Sequence, residues 1–304
     1  MKLPMIHHPG YTIDLPASHP FPMRKFQVLR EQLAAPPFDQ VVDWWQPAPA
    51  DRAMLLHAHT TDYIYAFLNG TTDPRAQKRT GFQWSEALVE RVRLETGGTV
   101  LALQAALETG LALNTAGGTH HAHADAGSGY CLVNDIAIAA RHAVASGWAR
   151  RVLIVDLDVH QGDGTAAICK DDTTVFTFSM HAGSNFPARK HPGDLDIALD
   201  KGTGDTEYLN RLQRTLPKLL TDFRPDLVIY DAGVDVHALD RLGHLELTDD
   251  GVLQRDRTVL ETCRNNGTPV AAVIGGGYDR DIEALARRHG LLFQAAVGLQ
   301  GGRG

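Results

Sequence analysis

The chain is poor in cysteine. Its three, Cys131, Cys169 and Cys263, are odd in number and far apart, so they form no disulfide framework and point to a reducing compartment. No stretch approaches the ~20 consecutive apolar residues of a membrane span. The opening MKLPMIHHPGY has no apolar core long enough for a signal peptide, and a cytoplasmic location is expected. No run of Lys or Arg is present and the net charge is -7, which argues against an electrostatic nucleic-acid binder. Internal repeats and low-complexity linkers are also absent, so one domain spanning 1–304 is expected.

What remains is ordinary soluble material with one exception. Of 304 residues, 43% are hydrophobic and 21% charged, enough for a large core. The exception is fifteen histidines, a number at which any single histidine carries little information. Short continuous apolar runs occur at LALNT (111–115), RVLIVD (151–156), VFTFSM (175–180), DLVIYD (226–231) and VAAVIG (270–275). Continuous runs, unlike alternating ones, suit strands covered on both faces. Helical patterns lie between them: one or two helices in 84–107, then 134–147, 206–223, 248–267 and 281–290. Ser85, Thr206 and Thr248 are expected N-caps, and Gly147, Gly267 and Gly290 expected stops. Alternating strands and helices predict an α/β fold with a mostly parallel sheet. The Pro-rich segment from Pro4 to Pro49 reads as irregular chain wrapped around it.

The polar clusters all follow strand runs on their C-terminal side. LALNT leads to AGGTHHAHADAG, LIV to DLDVHQGDG, VFTFSM to His181, LVIYD to AGVDVHALD and AAVIG to GGYDRD. Ligands in open parallel sheets sit beyond the carboxyl ends of the strands, so these loops are expected to share one pocket. In an extended DLDVH, Asp158 and His160 face the same side, and one carboxylate with one imidazole suits zinc. The blander reading makes DLD a helix cap and His160 a solvent-facing residue. A third ligand is expected from another strand end, with Asp235 ahead of Asp231 and Asp240. Two Asp and one His leave positions open for water and substrate, as in catalytic rather than structural zinc sites.

His120 and His121 form a tandem pair on a Gly-rich loop. Each needs a carboxylate to set its tautomer, and Asp156 and Asp163 are available. Most such pairs are surface residues; His7 and His8 are assigned no role, and His123 is expected to be structural. GGGY brings backbone close to a ligand through Gly276 and projects Tyr278, whose hydroxyl could stabilise an oxyanion. GSGYC could place Tyr130 on a channel wall, with core packing as the alternative.

Taken in order, GGTHHA, GYCLVND, VDLDVHQGDGT, AGVDVHALDRLG and GGGY resemble the zinc-dependent histone deacetylase superfamily, which includes acetylpolyamine amidohydrolases and acetoin-utilisation proteins. HPFPMRK and GFQWSEALVERVRLETGGT look most like its class IV branch and bacterial relatives. The resemblance spans residues 7 to 290. It implies the three-layer α/β/α arginase/deacetylase fold and hydrolysis of an amide between an acyl group and an amine. It implies one zinc held by Asp158, His160 and Asp235. His121 with Asp163 matches the general base and acid, His120 with Asp156 its electrostatic partner, and Tyr278 the oxyanion-stabilising tyrosine. Tyr130 and Phe186 match the walls of the acyl channel, and Gly129 and Gly276 match substrate-contacting positions. Asp156, Asp158, His160, Ser179 and Met180 match a monovalent-cation site, usually potassium. Two departures stand out. Tyr130 replaces the commoner Phe, and the basic residue near HPFPMRK could be Arg24 or Lys25. The implied substrate is an acylated lysine peptide or a small acylated amine, from acetyl to the long acyl chains favoured in class IV. Rival expectations are an acetylpolyamine deacylase, a non-catalytic acyl-binding module and a two-manganese ureohydrolase. Oligomeric state is not legible.

Overall fold

A computed structural model describes residues 2–301. It contains β1 (Leu3–Ile6), β2 (Val42–Trp45), β3 (Leu111–Asn114), β4 (Val152–Asp156), β5 (Val175–Ala182), β6 (Leu195–Leu199), β7 (Leu227–Asp231) and β8 (Val270–Val273). The helices are α1 (Lys25–Gln32), α2 (Arg52–Leu55), α3 (Thr61–Leu68), α4 (Pro74–Thr80), α5 (Glu86–Thr109), α6 (Asp135–Ala145), α7 (Asp163–Cys169), α8 (Asp205–Phe223), α9 (Asp249–Asn265) and α10 (Ile282–Gly301). The strands form one sheet in the order β2-β1-β3-β8-β7-β4-β5-β6, and every pairing is parallel. Helices α5, α6 and α7 pack in one group, and α8, α9, α10 and α1 in another. The result is the expected three-layer α/β/α arrangement. β4, β7 and β8 are buried along their whole length, as their continuous apolar runs require.

Several local expectations need correction. The segment from Pro4 to Pro49 is not merely irregular, because β1 and β2 pair in parallel there and α1 lies between them. Four-residue strands containing or flanked by Pro leave no periodic trace to read. Of the one or two helices expected in 84–107 there is one, α5, which runs from Glu86 to Thr109. It runs on through Gly97, where an added side chain would strike the Ala48 carbonyl. Ser85 and Thr248 do cap their helices, each accepting a backbone N–H with its hydroxyl. Thr206 does not; α8 starts behind Gly204, and the Asp205 carboxylate turns outward to accept from Thr248. Gly290 stops nothing, since α10 continues past it and buries Leu292, Phe293, Ala295 and Ala296.

The sheet order sends the chain from β3 across β8 and β7 to β4. Such a reversal opens a crevice at the carboxyl ends of the strands. The loops after β3, β4, β7 and β8 all emerge there.

Candidate metal centre and its catalytic surround

β4 ends at Asp156, and the chain then turns instead of staying extended. Asp156 accepts the backbone N–H of Asp158 at 3.1 Å, and Asp158 accepts that of His160 at 2.9 Å. These successive carboxylate turns, rather than strand alternation, bring Asp158 and His160 together. His160 Nδ1 lies 3.0 Å from Asp158 Oδ1 and 3.1 Å from Asp235 Oδ2. The Asp235 carboxylate also accepts the Val159 N–H at 2.8 Å, which ties the β7 loop to the β4 loop. The β8 loop closes the third side: Gly276 donates its N–H to Asp158 Oδ2 at 2.8 Å. A side chain at Gly276 would collide with the Asp235 carboxylate, so only glycine permits this approach.

One donor atom from each of Asp158, His160 and Asp235 falls within a 4.8 Å cluster, and all three residues are buried. The donor set fits a borderline divalent cation. The electrostatics also favour one. Burial, and then Asp158 alongside, push the Asp235 carboxyl up to about 7. Burial opposes charge on Asp158 too, but His120 and His160 hold it well below the usual carboxylate range. Among the described residues a second such group is His120, Asp156 and Asp231. Asp231 is fully buried, and neither of its carboxylate oxygens has a hydrogen-bond partner.

The histidine pair stands on the loop after β3. His120 Nδ1 donates to Asp156 Oδ2 at 2.8 Å, and His121 Nδ1 to Asp163 Oδ1 at 2.7 Å. Both pairings match the sequence expectation. His123 shares Asp163, with Nε2 at 3.1 Å from the other oxygen. The Nε2 atoms of His120 and His121 are 3.2 Å apart, so only one proton fits between them. Burial opposes charge on His120, but Asp156 and Asp158 raise it well above the usual imidazole value. Burial, and then the charge on His120, push His121 down to about 3. The pair is therefore one imidazolium and one neutral imidazole.

The residues that hold this loop escaped sequence reasoning. Asp135 accepts from the backbone N–H groups of Gly118 and Thr119 and from the hydroxyls of Thr99 and Thr119. Glu95 accepts from the Gly117 N–H at 3.1 Å. Asn134 caps α6 and donates to the carbonyls of His120 and Ala122. Their traces in the sequence are the ND step in GYCLVND and the ETGGT that ends GFQWSEALVERVRLETGGT, neither of which names a partner.

His59 supports Asn134 in turn, since its Nε2 accepts the Asn134 N–H at 2.8 Å and must stay unprotonated. Burial pushes this imidazole down to about 4, below its value in the unfolded chain. Such a group contributes stability that is complete above about pH 6.5 and is lost as pH falls through 4. Between pH 7 and 4.5 its share is about 2–3 kcal/mol. Urea melts at the two pH values should show a smaller acid loss for His59→Gln than for the parent. Equal losses would remove His59 from the acid response.

Tyr278 stands at the end of the β8 loop, its backbone N–H donating to Asp240 at 2.6 Å. Its ring centroid is 6.4 Å from that of His160 and 5.8 Å from that of Tyr130. Phe186, 45% exposed, lies edge-to-face against His121 at 4.8 Å. Tyr130 also touches Phe21 and Phe82. The two wall candidates thus flank the site, Phe186 on the His121 side and Tyr130 on the Tyr278 side. Gly129, at φ 53°, lies between them, and a Cβ there would press on both His121 and Phe186. Ser179 pairs in register with Asp156 across β4 and β5, and its hydroxyl bonds His181 Nδ1 at 2.9 Å; Met180 is fully buried beside it. Of the two basic candidates, Lys25 is the buried one. It is 2% exposed and donates to the Gly275 carbonyl at 3.1 Å, whereas Arg24 faces solvent.

Residues 19–294 match the family model of the histone deacetylase domain. The chain belongs to the histone deacetylase family. An uncharacterized protein of Picosynechococcus sp. is 51% identical over 296 residues, covering 97% of this chain and 99% of that one. Histone deacetylase 2 of Arabidopsis thaliana is 31% identical, over 91% of this chain and 75% of its own length. Acetoin utilization protein AcuC of Staphylococcus aureus is 30% identical, over 86% and 73%. The solved HDA15 HD domain superposes with a TM-score of 0.79 over 98% of this chain and 91% of its own; at 21% identity it speaks for the fold. Membership of the histone deacetylase family supports deacylase activity and a metal ion in the buried His/Asp centre. No helix among the described residues is long and apolar enough to cross a membrane.

Proposed function

We propose that the protein is a zinc-dependent amidohydrolase that removes an acyl group from an acylated lysine or a related acylated amine. The observation that carries the reading is the convergence of a buried Asp158/His160/Asp235 cluster, a neutral His121 tethered to Asp163, and Tyr278, whose ring lies 6.4 Å from that of His160. Asp158, His160 and Asp235 would hold the zinc, which when bound polarises the acyl carbonyl and acidifies a water. His121 Nε2 takes a proton from the attacking water as its oxygen adds to the carbonyl carbon. The Tyr278 hydroxyl donates to the oxyanion that develops. His121 then delivers its proton to the leaving nitrogen as the C–N bond breaks, releasing a carboxylic acid and an amine. Asp163 keeps the His121 Nδ1–H in place, which leaves Nε2, the atom nearest His120, as the one that can accept a proton. His120, charged against Asp156, steadies His121 from the side. Tyr130 and Phe186 would line the acyl-lysine stem, with Gly129 and Gly276 supplying backbone contacts. Asp156, Asp158, His160, Ser179 and Met180 would hold a potassium ion. Three buried thiols and no disulfide suit a cytoplasmic enzyme.

The test is amine release from acetyl-lysine peptide, long-chain acyl-lysine peptide and acetylpolyamine, with chelator-stripped protein as background. Release restored by zinc confirms the class and names the substrate. Tyr278→Phe should retain zinc and lose on the order of 100-fold in rate. A Tyr278→Phe rate close to the parent's would remove that role. Silence across the panel with zinc bound would favour an acyl-binding module. The second group, His120, Asp156 and Asp231, keeps a two-metal reading in view. Metal analysis should give one zinc per chain; two manganese ions would favour ureohydrolase chemistry.

A further inference from the structure

Arg255 lies on α9, behind the loops that carry Asp158, His160 and Asp235, and 22 residues or more along the chain from the carbonyls it binds. It is fully buried. Its Nε donates to Asp256 Oδ1 at 2.9 Å, and Nη2 sits 2.8 Å from the same oxygen. Tyr230 Oη donates to that oxygen as well, at 2.6 Å. The rest of the guanidinium fork points toward the sheet ends. Nη1 donates to the Gly233 carbonyl at 2.5 Å and the Leu157 carbonyl at 3.3 Å, and Nη2 to the Ala232 carbonyl at 3.1 Å.

Those carbonyls are not arbitrary ones. Leu157 lies between Asp156 and Asp158, while Ala232 and Gly233 lead into Asp235. The regular pairing of β4 with β7 stops at Asp156 and Asp231. Beyond it, the two loops are joined by the Leu157 N–H on the Asp231 carbonyl and the Val159 N–H on the Asp235 carboxylate. One planar cation thus bridges the carbonyl sides of both loops where the sheet no longer sets their distance. A guanidinium can do this because its donors are fixed in one plane; an ammonium cannot reach three acceptors in that pattern. The Asp256 carboxylate and the Tyr230 hydroxyl hold the fork in register.

We infer that Arg255 is a positioning residue that sets the spacing between the Asp158/His160 loop and the Asp235 loop, with Asp256 and Tyr230 as its supports. The consequence for metal binding rests on the zinc reading above; the loop spacing itself does not. The experiment compares the full chain with Arg255→Lys, which keeps the charge and loses the fork. Val259→Ala, a core truncation on the same helix, is the control for stability. Hydrogen exchange is followed in the metal-free proteins at the amides of Val159, His160 and Val234, and zinc affinity by chelator competition. Arg255→Lys should speed exchange at these amides at least tenfold. It should also weaken zinc binding by about 10-fold or more, the usual cost of losing a partner that orients ligands. Val259→Ala should change neither by more than twofold, even at a comparable loss of Tm. Should Arg255→Lys not fold, Asp256→Asn carries the same comparison. Wild-type exchange and zinc affinity in the substituted protein would overturn the inference, as would equal effects from Val259→Ala. A parent chain that binds no zinc, with the exchange contrast intact, would overturn the zinc reading and leave the loop-spacing role standing.

Discussion

Asp235→Asn should empty the metal centre and at the same time stabilise the metal-free protein. Both effects follow from one carboxylate. In the metal-free state Asp235 is buried beside Asp158, and its carboxyl is pushed up to about 7. A folded-state value above the unfolded one means that the charged form is penalised on folding. That penalty grows as pH rises from about 4 and is nearly complete above 7. Removing the charge with an isosteric amide should therefore raise stability by about 2–4 kcal/mol at pH 8. The amide oxygen can still accept the Val159 N–H that the carboxylate accepts now. On the ligand set proposed above the cation would lose one of two anionic ligands, and turnover should fall on the order of 1,000-fold or more, because several kcal/mol of transition-state stabilisation go with the ion. The checks are a Tm in chelator, zinc content after dialysis and amine release. A variant that keeps zinc and turnover would mean the carboxylate is not a ligand. Loss of stability in chelator would mean that the charge on Asp235 does not penalise the folded protein.

His121→Ala should show the opposite signature: zinc retained, chemistry lost. His121 contributes no atom to the Asp158/His160/Asp235 cluster, so metal content should match the parent. Its ring does three things at once. It bonds Asp163 through Nδ1, faces His120 through Nε2, and packs edge-to-face on Phe186. The proton transfer proposed for its Nε2 dominates the expected loss, about 100- to 10,000-fold in kcat/KM. The packing loss affects the channel wall and should appear in KM. Near-parent turnover with zinc bound would transfer the base role to another group, His120 first. Together the two variants separate metal binding from proton transfer, which a single inactive variant cannot do.

How much of this was legible beforehand depended on the range of the interactions. The strands β3, β4, β5, β7 and β8 were readable because a strand covered on both faces must be apolar without interruption. Polar clusters behind those runs were readable as one site because parallel strands deliver all their carboxyl ends to the same edge. The ligand triad and both His–Asp pairings were drawn from residue types and from the family likeness. By contrast, β1 and β2 left no signal, since a four-residue strand with Pro in or near it has no period to detect. Thr206 looked like a cap because nothing local distinguishes a capping hydroxyl from a first-turn one. The turns at Asp156 and Asp158, which bring Asp158 and His160 together, have no signal that sets them apart from an extended continuation of β4.

The sequence by itself determined the class of fold, the edge where the chemistry gathers and the chemical nature of the donors, because each depends on side-chain type and short-range order. Tertiary structure alone decided that Lys25 rather than Arg24 is buried beside GGGY, that Asp135 and Glu95 hold the histidine loop, and that Arg255 grips the ligand loops from behind. The physical reason is the same in each case. A buried polar group takes its meaning from the partner that satisfies it, and these partners lie between 16 and 250 residues away along the chain.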